Sequence, residues 1–446
     1  MLQASGPLTA RGLMEREGVA QPTVSRRLGE LGERVVALGS ARRTQYALRR
    51  RLQHEDRWTI YRINEQGRAR AWAVLHALCG GWKVEWLGSP PEWEHAAGVV
   101  DGFGEGFPFF LGDVRSQGFL GRARARGSVA QSLGLPPDPR LWSDDDILRY
   151  QVVDGENLSG NLLVGDGNWQ NHFQFTQTDG LPIPRGINEL SRLVDDVLSG
   201  GILGSSAGGE QPKLAVYYHT EPEPSHALIK FSPPLGNPVG RRWADLLSAE
   251  AHATQVLAEA NGDNCSVQVR DVEQRRFLIV PRFDRVGVHG RRGVVSLEAL
   301  AGTFGDAARP DWVSRGEFLH RAGLVNTAGL ETVRKLACFG ALIGNTDMHA
   351  GNLGFWFDDS LPFIPAPVYD MLPMRWAPTA QGELRDVDFV PTPPLPALEP
   401  AWRKAVVWAV TFWRLVAADE TTVSPEFRVI AGRALAIVER LQQRLN

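Results

Sequence analysis

Cysteine is nearly missing: Cys79, Cys265 and Cys338 lie far apart, are odd in number and form no Cys-x-x-Cys pair. Neither a disulfide framework nor a zinc site is indicated, and the three read as small buried apolar residues. Long apolar runs are missing too. The longest near the C-terminus, Ala405 to Trp413, is broken by Thr411 and stops at Arg414, far short of the roughly 20 apolar residues of a membrane-spanning helix. Met1 to Pro7 has neither the basic flank nor the apolar core of about 7–15 residues that a secretory signal uses. A cytoplasmic protein without membrane contact is expected.

Lysine is missing from the first 53 residues, which hold ten arginines against Glu15, Glu17, Glu30 and Glu33, a net +6; the remaining 38 basic and 47 acidic side chains give −9. A basic module on an acidic body implies that the first module alone meets a polyanion. At 446 residues the chain exceeds one ordinary hydrophobic core. Units over residues 1–55, 56–150 and 151–446 are expected.

Thr9 to Glu17 reads as a helix, Gly18 as a turn, and a second helix starts near Gln21-Pro22, proline suiting the first helical position. Leu13, Val19, Val24, Leu28 and Leu31 can share one small core. Thr23, Ser25, Arg26 and Arg27 then fall early on the second helix, where a recognition helix presents side chains to base edges and phosphates. Val35 to Leu38 and Tyr46 to Leu48 read as short strands around a basic loop with Arg42 and Arg43, a wing for a phosphate backbone or minor groove. The segment resembles the winged helix-turn-helix modules of bacterial regulators. Its competing reading is a helical packing module with a solvated basic face; the concentration of arginines on the second helix and the loop favours DNA.

From Trp58 the chain alternates as strands do, through Trp58–Asn64, Ala71–Leu75 and Trp82–Leu87. Asp144-Asp145-Asp146 suggests a metal site, but a run after Trp142-Ser143 more simply caps a helix N-terminus.

The chemistry concentrates further on. An apolar helical stretch, Ala337 to Ile343, ends at Gly344; Asn345-Thr346-Asp347-Met348-His349-Ala350-Gly351-Asn352 follows, then a strand-like Leu353–Phe357, a turn, and Tyr369-Asp370. Asp347 and Asn352 are five residues apart and Asp370 eighteen further. Phosphoryl transfer requires such a set: one carboxylate to position the attacking hydroxyl and take its proton, an amide oxygen and a second carboxylate for magnesium. Asp347, Asn352 and Asp370 are assigned these roles in order, and His349 a supporting one. Taken singly each is an ordinary turn residue; the ordered arrangement is what carries the assignment. Upstream, Gly201 to Lys213 is a small-residue loop that can cradle phosphates through backbone N–H groups, although it lacks the Gly-Lys-Ser/Thr of a P-loop. Lys230 sits in an apolar strand, Ala227 to Phe231, where a phosphate is an attractive partner. Glu250, on an intervening helix expected over Trp243–Ala260, is a second candidate partner on which the reading does not rely. After the strand Phe277–Pro281, Pro281 can offer a carbonyl and Phe283 an N–H to an adenine.

Together these pieces resemble the HipA family of bacterial serine/threonine kinases, the toxins of type II toxin–antitoxin systems. The resemblance runs from about residue 57 to 440 and rests on Phe109–Asp113 with Gln117–Gly121, Ser205–Gly209 with Pro212-Lys213, Ile229-Lys230, Arg282–Arg285, the Asp347–Asn352 loop and Pro367–Asp370. It implies an α+β, two-lobed protein-kinase-like fold with an N-terminal β-rich subdomain, here preceded by the winged module, and an ATP and Mg2+ requirement. It implies nucleotide contacts at Ser206, Ala207, Gly208, Gly209, Lys213, Lys230, Pro281, Phe283, His349 and Tyr369, and autophosphorylation at Ser205. The glycine-rich loop is one residue longer than the family pattern, with Pro212 before Lys213, which puts that last implication in doubt. The acceptor is expected to be a protein, an aminoacyl-tRNA synthetase being the candidate that relatives suggest. DNA is the expected partner of residues 1–55, and a homodimer is suggested by the paired half-sites that helix-turn-helix proteins read. Two rivals stand beside this reading: a kinase-like ligand-sensing transcription regulator without transferase activity, and a small-molecule kinase of the aminoglycoside phosphotransferase type.

Overall fold

The computed structural model describes residues 2, 6–97, 101–113, 124–177, 192, 194, 213–219, 224–262, 266–304, 311–384 and 387–445. Ser205, Ser206, Ala207, Gly208, Gly209, Cys265 and the 117–121 piece lie outside them, as does the Arg42 side chain.

Two helices, α1 (Ala10–Glu17) and α2 (Gln21–Leu31), open the chain. The Thr9 hydroxyl accepts from Gly12 N at 3.1 Å, and Gly18 closes α1 at φ 64°, a left-handed turn suited to glycine. Leu2, Leu13 and Val24 are buried together, with Val19, Leu28, Tyr46 and Leu48 against them; Leu31, expected in this core, ends α2 outside the cluster. Strands β1 (Leu8–Thr9), β2 (Val35–Leu38) and β3 (Gln45–Leu48) form a sheet in the order β1-β3-β2.

The module is joined to the body by more than a linker. Arg50 N donates to Ala77 O at 2.9 Å and Cys79 N to Leu48 O at 2.8 Å. The Arg50 guanidinium meets Asp145 and lies 5.0 Å over the Trp82 ring.

The middle sheet has β4 (Arg57–Ile63), β5 (Ala69–Leu78), β6 (Gly81–Trp86), β7 (Phe103–Gly104) and β8 (Leu162–Val164) in the antiparallel order β7-β6-β5-β4-β8. The strands expected from the alternation are there, the second extended at both ends. A short helix, α3 (Phe109–Gly112), brings Phe109 and Phe110 against Trp72, Trp86, Trp93 and Phe357, with ring centroids 5.1–6.2 Å apart; these edge-to-face, tilted and stacked contacts bind the sheet to the C-terminal body. Helix α4 (Asp144–Asp154) starts on a capping box between Ser143 and Asp146, so the acidic run caps a helix. Residue 150, the expected end of this unit, lies within α4, and β8 joins the sheet from beyond it. Helix α5 (Asp166–Gln177) follows.

The C-terminal body begins with β9 (Lys213–His219), β10 (Pro224–Phe231), β11 (Gln268–Val272) and β12 (Arg275–Pro281), an antiparallel sheet in the order β11-β12-β10-β9. Between β10 and β11 runs α6 (Pro238–Asn261), five residues longer at its start than expected because Asn237 accepts from Gly240 N at 2.7 Å and Pro238 suits the first turn. Beyond the sheet come β13 (Val294–Ser296), α7 (Leu297–Phe304), α8 (Trp312–Arg321), α9 (Thr327–Leu342), β14 (Gly354–Trp356), β15 (Ile364–Pro365), α10 (Glu399–Ala418) and α11 (Pro425–Leu445). A cleft of about 2060 Å³ is lined by both the sheet and the helical part. Segregated antiparallel sheets and helices make the class α+β.

Candidate active site

Lys230, 2% exposed, stands mid-sheet on β10, where its ammonium group meets Glu250 of α6 and Asp370 together. Lys213, directly across from it in the β9–β10 register, reaches Asp370 at 3.2 Å. A buried lysine needs such partners, because an uncompensated interior charge is strongly unfavourable. Burial opposes the charge on Lys230, but Asp370 and Glu250 raise its pKa above the ordinary value. Burial likewise works against ionised Asp370, and Lys213 and Lys230 more than reverse it, holding the carboxyl well below the usual range. Glu250 shifts upward because burial outweighs Lys230. Lys230 thus stands between two carboxylates, with Glu250 and Asp370 both meeting its ammonium group. Asp370 itself sits at φ +54°, a left-handed conformation that non-glycine residues rarely adopt.

The loop after α9 turns at Gly344, φ 73°. Asn345 then organises it: its Oδ1 accepts from Asp347 N at 3.0 Å and its Nδ2 donates to Asp370 O at 3.3 Å. Asn352 Nδ2 donates to Asp347 O at 3.0 Å, and Asn352 and Asp370 both line the cleft. His349 Nδ1 accepts from Gly351 N at 3.2 Å, while Trp312 Nε1 donates to His349 O at 2.9 Å. Tyr369 Oη donates to Gly351 O at 2.6 Å. Asp347 faces the cleft, and its carboxylate has no hydrogen bond or ion pair among the described residues.

At the end of β12, Phe283 stacks on Tyr369 with centroids 6.0 Å apart and meets Trp356 edge-on at 5.7 Å. Arg282 and Arg285 both clasp Asp284, at 2.8 and 2.7 Å. Burial would raise the Asp284 pKa, but the two arginines depress it far below the carboxylate range. The three tie this turn to residues 157–160: Asp284 accepts from Gly160 N at 2.9 Å, Arg282 donates to Asn157 Oδ1 at 2.8 Å and Arg285 to Leu158 O at 2.6 Å.

Asp347, Asn352, Asp370, Lys213, Lys230, Pro281, Phe283, His349 and Tyr369 all line the one cleft. Sequence reasoning did not rely on Glu250, which the fold sets with Asp370 against Lys230, and gave Asn345 and Asp284 no role. One signal was available: only Lys83, Lys213, Lys230, Lys335 and Lys404 are lysines among 48 basic residues, and two of the five face this cleft. No group of three or more His, Cys, Asp or Glu side chains suited to a metal occurs among the described residues. In the N-terminal module Ser25, Arg26, Arg27 and Arg43 are exposed and Thr23 half-buried. Arg26 pairs with Glu30, and Arg27 reaches Glu17 at 3.4 Å.

A buried Lys–Glu pair between an antiparallel sheet and a helix, joined by an aspartate and sharing one cleft with an Asp–Asn loop, defines a kinase-like fold. A chain of the Shewanella oneidensis MR-1 complex of HipA, HipB and operator DNA superposes with a TM-score of 0.51 at 16% identity, covering 86% of this chain and 96% of that one. The family description "YjjJ-like toxin, middle domain" matches residues 54–173, and "HipA-like C-terminal domain" matches 205–412. Toxin YjjJ of Escherichia coli K12 is 35% identical over 451 aligned residues, covering 100% of this chain and 98% of that protein. The chain belongs to the YjjJ-like family of HipA-related toxins. Putative kinase Y4mE of Sinorhizobium fredii is 27% identical over 143 residues, 29% of this chain and 33% of that protein.

Proposed function

We propose that the protein is an ATP- and magnesium-dependent serine/threonine protein kinase whose N-terminal module binds DNA for autoregulation. The observation that carries the kinase reading is the buried Lys230 shared by Glu250 and Asp370, in one cleft with the unpaired carboxylate of Asp347. A Lys–Glu pair between strand and helix is the arrangement that positions nucleotide phosphates in protein kinases. Lys230 and Lys213 contact phosphate oxygens, and Pro281 and Phe283 border the adenine. The hard oxygens of Asn352 and Asp370 suit magnesium, which when bound neutralises charge on the transferring phosphoryl group. Asp347 orients the acceptor hydroxyl and takes its proton as the hydroxyl oxygen attacks the γ-phosphorus and the bond to the bridging oxygen breaks. Tyr369 and Trp312, gripping the carbonyls of Gly351 and His349, hold that carboxylate's loop still. Ser205, in the glycine-rich loop, is the acceptor proposed within the chain itself.

Relatedness to HipA, whose complex contains HipB and operator DNA, supports a DNA-linked role, here assigned to the basic residues of the chain's own module. Phosphoproteomics after induction tests the acceptor class. Phosphoserine or phosphothreonine sites gained with wild type and not with Asp347→Gln are expected; identical phosphoproteomes would sink the reading.

A further inference from the structure

Asp113 belongs to the middle unit, at the end of α3, yet both of its carboxylate oxygens are spent on one residue of the catalytic body. Oδ2 accepts from Ser296 N at 2.7 Å, and Oδ1 accepts from the Ser296 hydroxyl. Ser296 is the joint between β13 and α7. Its hydroxyl oxygen also accepts from Ala299 N at 3.1 Å, capping α7. The next residue, Leu297, donates N–H to Leu353 O at 2.7 Å, directly after Asn352. In the first turn of α7, Glu298 lies against the catalytic loop, so that a Cβ on Gly351 would come within 3.3 Å of its Oε2. At the far end of α7, Phe304 meets Phe109 of α3 at 5.2 Å. Helix α7, which flanks the Asp347–Asn352 loop, is thus gripped at both ends by α3.

The chemistry at the joint is unusual for a packing contact. Asp113 is half-buried, and desolvation pushes its carboxyl up to about 6 in spite of the two bonds from Ser296. An isosteric amide oxygen would avoid the buried charge, but only a carboxylate presents an acceptor oxygen to the Ser296 N–H and another to its hydroxyl. Asp113 also lines the cleft and lies close enough to Tyr369 to act on its ionisation.

We propose that Asp113 is a positioning residue for phosphoryl transfer: by clamping Ser296 it fixes α7 and the start of β14, and through them the Asp347–Asn352 loop. The proposal rests on the kinase reading. The full chain and its Asp113→Asn, Ser296→Ala and double variants are compared in two measurements: initial rates against ATP concentration, and amide hydrogen exchange over residues 345–353 without nucleotide. Each single variant lowers kcat about 10- to 100-fold, the range of a sub-ångström to ångström displacement, with KM for ATP and melting temperature little changed. The double variant is no worse than the weaker single one, because both break the same link. Exchange over residues 345–353 quickens in all three. Wild-type kcat and protection in the single variants, or fully additive losses in the double, overturn the proposal. If wild type transfers no phosphate, the kinase reading fails, and exchange alone decides whether Asp113 holds the loop.

Discussion

In the cleft, Lys230 is 2% exposed and meets carboxylates 20 and 140 residues away in the chain; in the N-terminal module, Arg26 and Arg27 keep 64% and 53% of their side-chain surface and reach glutamates four and ten residues away. The difference separates buried charges that depend on distant partners from exposed charges paired with near neighbours in the chain. A buried ammonium deprived of one partner leaves another charge uncompensated, so the cleft depends on each member. Exposed pairs contribute little, and arginines so paired can exchange a glutamate for a phosphate at small loss. The cleft is preorganised; the module is available.

Breaking the cleft side of the comparison gives the largest effect. Lys230→Met is expected to lose about 3–5 kcal/mol of stability, the range for one member removed from a buried ion pair, together with all phosphoryl transfer, as denaturant unfolding and a rate assay would report; unchanged stability would mean that Asp370 and Glu250 do not depend on Lys230. A smaller effect belongs to the turn beside β12. His226, on β10, donates through Nε2 to Val288 O at 2.8 Å, and burial lowers its pKa from 6.5 to about 4. The unfolded chain therefore takes up a proton at higher pH than the fold does, and stability declines as pH falls from 6.5 toward 4. Comparison of wild-type and His226→Gln unfolding across that window isolates this histidine from carboxylates titrating nearby; parallel curves would remove it as the cause. At the junction, Arg50→Ala removes the contacts with Asp145 and Trp82 and is expected to destabilise by about 1 kcal/mol. Smallest of all, Arg26→Ala and Arg27→Ala should each change stability by less than about 0.5 kcal/mol. Each should weaken DNA binding by the full chain and reduce the salt slope by about 1, measured by fluorescence anisotropy; unaltered binding in both would remove α2 as the contact surface.

The same contrast explains what the sequence disclosed. The module was legible because its signals are local: Thr9 caps α1, Gly18 turns it, and Gln21-Pro22 starts α2. The Asp347–Asn352 loop was legible because its polar residues lie within five positions after a helix that ends at a glycine. Partnerships between distant segments were not. Glu250 carries no mark on its helix that singles it out for Lys230, and the grip of Lys213 on Asp370 spans 157 residues. Asp113 lay inside a recognised motif, but its tie to Ser296 spans 183 residues and crosses between units. Hydrophobic periodicity places each of these elements; only the packed sheet and helices say which charges face each other.

The central claim is that Asp347 completes a phosphoryl-transfer site on an already assembled Lys230–Glu250–Asp370 frame. Transfer of labelled γ-phosphate from ATP with magnesium, followed for wild type and Asp347→Gln alongside melting temperature, tests it most directly. We predict protein labelling by wild type and a loss of about 10³-fold or more in the variant, with the fold intact because the Asp347 carboxylate supports no described contact. Equal labelling by both proteins, or none by a folded wild type, would contradict the account.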